Sequence, residues 1–355
     1  MSPSTQRRPP ARRGGRGLFA GLFVLVVILA TGFTTAAAFE PKSAWTLDDM
    51  PSQRGRIYLV TGGTSGIGFE SAKALAAAGA QVIIASRSPE KGQEAIAAIR
   101  RETPQADVRF EAFDLASLGS VHALGERLAA TLPRLDGLIN NAGLMEPPER
   151  SVSVDGYEMQ FAVNYLGHFA LTAEVLPLLK KSDAPRVVTL SSIAARRGRL
   201  HFDDLQFEQA YDAGAAYQQS KLACLMFAKE LQRRSDAAGW GLHSIAAHPG
   251  VSRTDLLAHR TGISGMVRRN LSFLFQPAAQ GALPILYAAT AREAKDGGYY
   301  GPNRFAEIRG YPTAAEVPEA AADGEASAKL WEVSQRLSGA HYPAATAMVP
   351  QADEG

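Results

Sequence analysis

Seven apolar, β-branched runs recur along this chain with helical stretches between them, and that alternation restricts the fold more than any other feature. The runs are RIYLV (56–60), QVIIA (81–85), VRFEAFD (108–114), LDGLIN (135–140), RVVTLSS (186–192), LHSIAAHPG (242–250) and a weaker GGYYG (297–301). Between them lie segments such as FESAKALAAAGA and KLACLMFAKELQRR, whose apolar residues fall at helical spacing. Near-continuous apolar strands joined by long crossovers imply a parallel sheet covered on both faces. The expected fold class is therefore α/β, a doubly wound parallel sheet in a single domain. Ligands of such sheets bind beyond the carboxyl ends of the strands, so function is expected just after those runs.

The first junction carries TGGTSGIG, with a helix expected from near Ile67. Gly62 permits a tight turn, Gly66 lets the backbone approach a pyrophosphate, and Gly68 lets the helix pack close to the sheet. Thr64, Ser65 and Ile67 complete the loop, and the amides freed at the helix start face the phosphates. The spacing is G-x3-G-x-G, and a glycine-rich turn alone is a weak signal. Its place at the first strand–helix junction makes it a phosphate cradle. The end of the second strand, where an NAD site usually carries an acidic residue, reads Ser86–Arg87. A guanidinium there suits a 2′-phosphate, which favours NADP(H) over NAD(H). The bland alternative is a solvated loop arginine.

YQQSK places Tyr217 and Lys221 four residues apart on one helix face. An ammonium near a phenol favours the phenolate, so such a tyrosine can exchange a proton near neutral pH. By itself the pair is an ordinary helix surface, and its weight comes from companions. Ser191 and Ser192 end the fifth strand, and alternation turns only one of them into the cleft. NNAG (140–143) ends the fourth strand, and Asn164 lies in the helix entered through FAVNYLGHF. Turn formation and a satisfied buried amide are their plain readings.

In combination and in this order, TGxxxGxG at 61–68, NNAG at 140–143, Asn164, Ser192, and Tyr217 with Lys221 resemble the short-chain dehydrogenase/reductase family over residues 56–310. The resemblance implies a Rossmann-type domain with Tyr217 as acid/base and Lys221 lowering its pKa and holding the nicotinamide ribose. It further implies Ser192 orienting the carbonyl or alcohol, and Asn164 supporting a water-linked relay. Asp114 and Leu115 would meet the adenine, and Asn141, Ala142 and Gly143 would line the cofactor. Pro249, Gly250 and Thr254 match the segment that closes over the nicotinamide. NYLGHF, SKLAC, GGYYGP and KLWEVSQRLSG look like the retinol dehydrogenase-like branch, which implies a lipophilic alcohol or carbonyl. That branch commonly shows Cys-Arg after the second strand, whereas this chain has Ser86–Arg87, which weakens a claim for retinoids. Relatives also imply a homodimer through the helices flanking the active site.

The N-terminus is of another kind. Arg7, Arg8, Arg12, Arg13 and Arg16 precede an uncharged apolar stretch at 18–38, long enough as a helix to cross a hydrocarbon core. A single-pass transmembrane anchor is the favoured reading, and a cleaved signal segment or a buried helix are its rivals. The expected organisation is a basic disordered arm (1–17), the anchor or signal (18–38), a tether (39–55), the catalytic domain (56–341) and a flexible tail (342–355). Positive-inside bias would hold the arginines in the cytoplasm, yet NADP(H) supply argues for a cytosolic active site on a membrane-bound enzyme. Formal net charge is only +2, so no nucleic acid partner is expected. One cysteine, Cys224, excludes an intrachain disulfide, and the seven histidines show no metal-ligand spacing. Two non-enzymatic readings of the fold remain: a silent NADP-sensing protein and a membrane scaffold.

Overall fold

The computed structural model describes residues 44–252 and 276–343. Eight strands form one sheet: β1 (Ile57–Thr61), β2 (Gln81–Ser86), β3 (Val108–Ala112), β4 (Gly137–Asn140), β5 (Arg186–Leu190), β6 (His243–Ala247), β7 (Tyr299–Arg304) and β8 (Arg309–Ala314). Their spatial order is β3-β2-β1-β4-β5-β6-β7-β8. All neighbours run parallel except β7 and β8. The chain winds outward from β1 to β3, returns to β4 on the other side, and so opens a crevice between β1 and β4.

The seven runs all become strands, and β8 was not anticipated. Gly310 and Pro312 break its strand pattern, and proline is tolerated only on an edge. There β8 is: it pairs with β7 alone, Pro302 standing opposite Pro312.

The helices are α1 (Gly66–Ala77), α2 (Pro89–Glu102), α3 (Leu118–Thr131), α4 (Gly167–Leu179), α5 (Ala213–Ala238), α6 (Ala278–Thr290) and α7 (Gly324–Ser338). Local chemistry starts and stops them. Ser88 caps α2 by accepting the Lys91 amide, with Pro89 at its first position. Asp212 caps α5, and Gly239 closes it in the left-handed conformation.

Period-two alternation splits the core between the two faces of the sheet. Leu59, Ile83, Leu138 and Val187 face α3, α4 and α5 among Phe161, Tyr165 and Phe169. Val60, Ile84, Ile139 and Val188 face the other layer among Leu75, Ile96, Ile99 and Ile285. The α7 helix lies over α4 and α5, setting Trp331 edge-on to Phe169 at 5.0 Å and stacked on Phe227 at 5.9 Å. Ten of the thirteen α4 residues are buried.

Packing also extends past both expected ends of the domain. The Trp45 ring meets Tyr287 edge-on at 5.6 Å, and buried Gln53 accepts the Tyr58 hydroxyl at 2.6 Å. The second half of the anticipated 39–55 tether is therefore part of the folded unit. Tyr342, placed at the start of a flexible tail, is buried and donates to the Phe169 carbonyl at 2.7 Å. Residues 1–43, with the apolar stretch at 18–38, lie outside the described residues. Among the described residues no helix is long and apolar enough to cross a membrane.

Candidate active site

A cleft of about 610 Å³ lies beyond the carboxyl ends of β1, β2, β4, β5 and β6. The glycine-rich loop forms its phosphate end. Gly62 takes a left-handed backbone (φ 67°), and its amide donates to the Ala85 carbonyl at 2.8 Å. Gly68 is packed so closely that a Cβ would stand 2.3 Å from Asn141 Nδ2 and 2.5 Å from the Gly62 carbonyl. Any side chain there would push α1 away from the loop that follows β1. Thr64, Ser65, Gly66 and Ile67 line it with them, and α1 starts at Gly66 with its amides directed into the cleft end.

The loop is fixed from below by Thr61, which the sequence reading did not single out. Thr61 Oγ1 accepts the amides of Asn141 and Ala142 at 2.9 and 3.0 Å. Its own proton goes to His168 Nε2 at 2.8 Å, because His168 Nδ1 must donate to the Asn164 carbonyl at 3.0 Å. Burial pushes the His168 pKa down to about 4, so the imidazole is neutral in that chain. Asn141 Nδ2 donates to the Thr61 carbonyl at 2.8 Å, which ties the ends of β1 and β4 together.

Beyond β2 the cleft is lined by Ala85, Ser86, Arg87, Ser88 and Lys91, and beyond β3 by Asp114 and Leu115. Arg87 and Lys91 are both exposed, and neither forms an ion pair among the described residues. Lys91 was missed, although its place in the first turn of α2, four residues after Arg87, was a readable signal. Asp114 accepts the Ala116 amide at 3.0 Å, which holds the turn after β3.

The other end of the cleft gathers Ser192, Tyr217, Lys221, Ala142 and Gly143, with Leu144, Met145, Glu146, Val163, Ile193 and Gln218 around them. Alternation separates the two serines. Ser191 is buried and donates its hydroxyl to the Lys221 carbonyl at 2.8 Å. Ser192 Oγ accepts the Ala194 amide at 3.2 Å, which leaves its proton for a group in the cleft. Tyr217 and Lys221 are only 7% and 5% exposed, and Lys221 Nζ donates to the Leu190 carbonyl at 3.1 Å. Tyr299 donates to the Ser192 carbonyl at 3.4 Å from beneath, and burial raises its pKa, so it stays a phenol. Pro249 and Gly250 form the facing wall, and Thr254 lies outside the described residues.

Asn164 is held within the fold by its own hydrogen bonds. It sits in a π-helical turn, Ala162–Leu166, and is buried behind the cleft rather than lining it. Its Oδ1 accepts the Leu144 amide at 2.8 Å, while Nδ2 donates to the Leu144 carbonyl at 3.0 Å and Ser220 Oγ at 2.9 Å. The widened turn re-aims its backbone carbonyl, which accepts from His168 and from the buried Cys224 thiol at 3.1 Å.

The family model for short chain dehydrogenase matches residues 56–262. The chain belongs to that family. It is similar to human (Homo sapiens) retinol dehydrogenase 13, at 38% identity over 90% of this chain and 96% of that protein. Polyprenol dehydrogenase of Mus musculus is 39% identical over 82% of this chain and 86% of its own length. Among solved structures, a functionally uncharacterised protein from Mycobacterium Paratuberculosis superposes with a TM-score of 0.71 at 36% identity, covering 85% of this chain and all of its own (100%). A short chain dehydrogenase from Escherichia coli CFT073, complexed with NADPH, superposes at 0.56 with 28% identity, covering 72% and 98%. As a short-chain dehydrogenase of the retinol dehydrogenase-like branch, the chain is an NAD(P)-dependent oxidoreductase acting on CH–OH groups.

Within a short-chain dehydrogenase the cradle fits a dinucleotide, since the N-terminus of α1, with its amides free of intrahelical partners, opens on a cleft lined by Gly62, Gly66 and Gly68. Among the described residues no cluster of His, Cys, Asp or Glu forms a metal site.

Proposed function

We propose that this short-chain dehydrogenase uses NADP(H) and acts on a lipophilic alcohol/carbonyl pair. The reading rests on one arrangement: two exposed cations, Arg87 and Lys91, at one end of the cleft and Ser192, Tyr217 and Lys221 at the other. Bound NADP(H) would supply the hydride to a carbonyl carbon, or accept it from an alcohol. Gly62, Thr64, Ser65, Gly66, Ile67 and Gly68 would hold its pyrophosphate, and Arg87 with Lys91 its 2′-phosphate. Asp114 and Leu115 would flank the adenine, while Asn141, Ala142, Gly143, Pro249 and Gly250 would border the nicotinamide half.

In reduction Ser192 donates to the carbonyl oxygen and Tyr217 transfers its proton there as charge develops. Lys221, whose ammonium lies beside Gly143, would hold a ribose hydroxyl of the bound cofactor. Asn164 acts at one remove by fixing Leu144 at the cleft wall.

A lipophilic substrate is supported by Leu144, Met145, Val163, Ile193 and Ala194 along the catalytic end, and by relatives named for retinol and polyprenol. A single-pass anchor at 18–38 with a cytosolic active site would bring such substrates within reach. Protease applied from the cytosolic side of sealed vesicles should digest the domain, and protection from that side would reverse the orientation.

The test of the reading is turnover by the full-length chain with NADPH across straight-chain aldehydes of rising length. Each buried methylene is worth ~0.8 kcal/mol, so kcat/KM should climb by up to about fourfold per carbon until the pocket is full. A flat series would remove the lipophilic assignment. No turnover on any alcohol or carbonyl would remove the catalytic one and favour a silent nucleotide sensor.

A further inference from the structure

The hairpin between β7 and β8 turns through three consecutive side-chain-bearing residues in the left-handed conformation: Phe305, Ala306 and Glu307, at φ 52°, 51° and 66°. L-residues avoid that region, and a run of three persists only where surrounding contacts over-determine it. Glu307 contributes side-chain contacts that reach the cleft walls. Its Oε2 accepts His248 Nε2–H at 2.8 Å, and its Oε1 accepts Arg196 Nη2 at 2.7 Å and the Glu316 amide at 3.0 Å. His248 is the residue before Pro249, and Arg196 stands in the turn that follows Ser192. One carboxylate thus joins the two walls that face each other across the catalytic end of the cleft.

The tautomer of His248 follows from its partners. The Gly250 amide donates to His248 Nδ1 at 3.2 Å, so Nδ1 is the lone-pair nitrogen and Nε2 carries the proton given to Glu307. Burial lowers the His248 pKa, which keeps the ring neutral. Burial alone would raise the Glu307 pKa, but the His248 and Glu316 hydrogen bonds and the Arg196 charge hold it below the usual range. The turn presses on the same segment through its backbone. The Ile308 carbonyl accepts the Val251 amide at 2.8 Å, and a Cβ on Gly250 would lie 2.2 Å from that carbonyl. Gln276 and Ser252 both donate to the Pro249 carbonyl, at 2.5 and 3.0 Å.

We infer that Glu307 is a positioning residue for the nicotinamide end of the cleft, fixing segment 249–252 through His248 and the turn after Ser192 through Arg196. The inference rests on the hydride-transfer reading above and adds to it a residue far downstream of the cleft wall it controls. Glu307 does not line the cleft. Its effect is carried by His248, Arg196 and the Ile308 carbonyl, so it should register on the nicotinamide and not on the adenine half.

The experiment compares full-length parent, Glu307→Gln and Glu307→Ala. Gln preserves the volume but cannot accept from His248, Arg196 and the Glu316 amide together. Binding is measured for NADPH and for 2′-phospho-ADP-ribose, which lacks the nicotinamide, alongside the fluorescence of bound NADPH and the melting temperature. The expected result is that affinity for 2′-phospho-ADP-ribose stays within about twofold of the parent, as for independent sites. Fluorescence of bound NADPH changes, and turnover of the parent's best aldehyde falls roughly tenfold or more, as misplaced reacting groups cause. Parallel weakening of both ligands with a lowered melting temperature would make Glu307 merely structural and overturn the inference. So would variants indistinguishable from the parent. Should Glu307→Ala not fold, Glu307→Gln carries the test. A parent that binds neither ligand would instead overturn the hydride-transfer reading, and this inference with it.

Discussion

The two ends of the cleft are built on different plans. The end that carries the glycine-rich loop, Arg87 and Lys91 comes from three successive strand–helix junctions, β1–α1, β2–α2 and β3–α3, each contributing residues within a few positions of its strand end. Its charged side chains, Arg87 and Lys91, stand exposed. The catalytic end draws on the ends of β4, β5 and β6, on α5, on the π-helical turn and on the β7–β8 hairpin. Its groups are partly or fully buried, and hydrogen bonds between residues remote in sequence hold some of them, such as Lys221 to Leu190 and Asn164 to Leu144. Exposed cations can tune affinity without disturbing the fold. A buried proton-transfer site needs its geometry imposed from several directions, because an unpartnered polar group there is costly.

That division can be broken from either side. The largest effect is expected from Tyr217→Phe, which keeps the ring and its packing and removes only the transferable proton. Turnover should fall by ~10²-fold or more while NADPH affinity barely changes, as steady-state rates and a binding titration would reveal. A variant with near-parent rates would take Tyr217 out of the chemistry.

Arg87→Ala is the converse change. Charge-assisted hydrogen bonds contribute ~1.5–3 kcal/mol, so NADPH affinity should drop by roughly tenfold or more. NADH affinity and the rate at saturating NADPH should stay close to the parent's. Lys91→Ala should act in the same direction. Equal losses for both dinucleotides would end the 2′-phosphate assignment.

The smallest effect is expected where the two ends are joined, at His168 between Thr61 and the Asn164 carbonyl. Its folded pKa of about 4 lies below the reference value of 6.5. The unfolded chain therefore binds this proton first. Stability from the neutral imidazole is fully present above pH 6.5 and is lost as pH falls from there towards 4. Urea unfolding at pH 7 and pH 5 should show the parent losing more stability than His168→Asn over that interval. Identical pH slopes would mean that His168 is not held neutral by burial.

What could be read from the sequence follows the same division. The glycine loop, Arg87, and the Tyr217–Lys221 pair each lie along one junction or one helix, so their positions in the fold, though not their roles, can be read from local pattern. So can the seven strand runs. Asn164 was legible as a residue, but the π-helical turn that carries it was not, since such a turn shifts the phase that helical spacing assumes. The β8 strand was hidden by Gly310 and Pro312, which an edge position tolerates. Trp45 and Gln53 read as tether because their partners, Tyr287 and Tyr58, become neighbours only in the folded chain. Glu307 carries no local signal, since its meaning lies in His248 and Arg196, brought together by the sheet.

The central claim is that groups at the catalytic end guide hydride transfer between a nicotinamide and a carbonyl carbon. Isotope tracing tests it most directly, using the full-length chain, the best aldehyde of the length series, and NADPH deuterated at C4 on either face. The account predicts that deuterium from one face alone appears at the carbinol carbon of the product, at a rate that collapses in Tyr217→Phe. Product that carries no label from either face would contradict it.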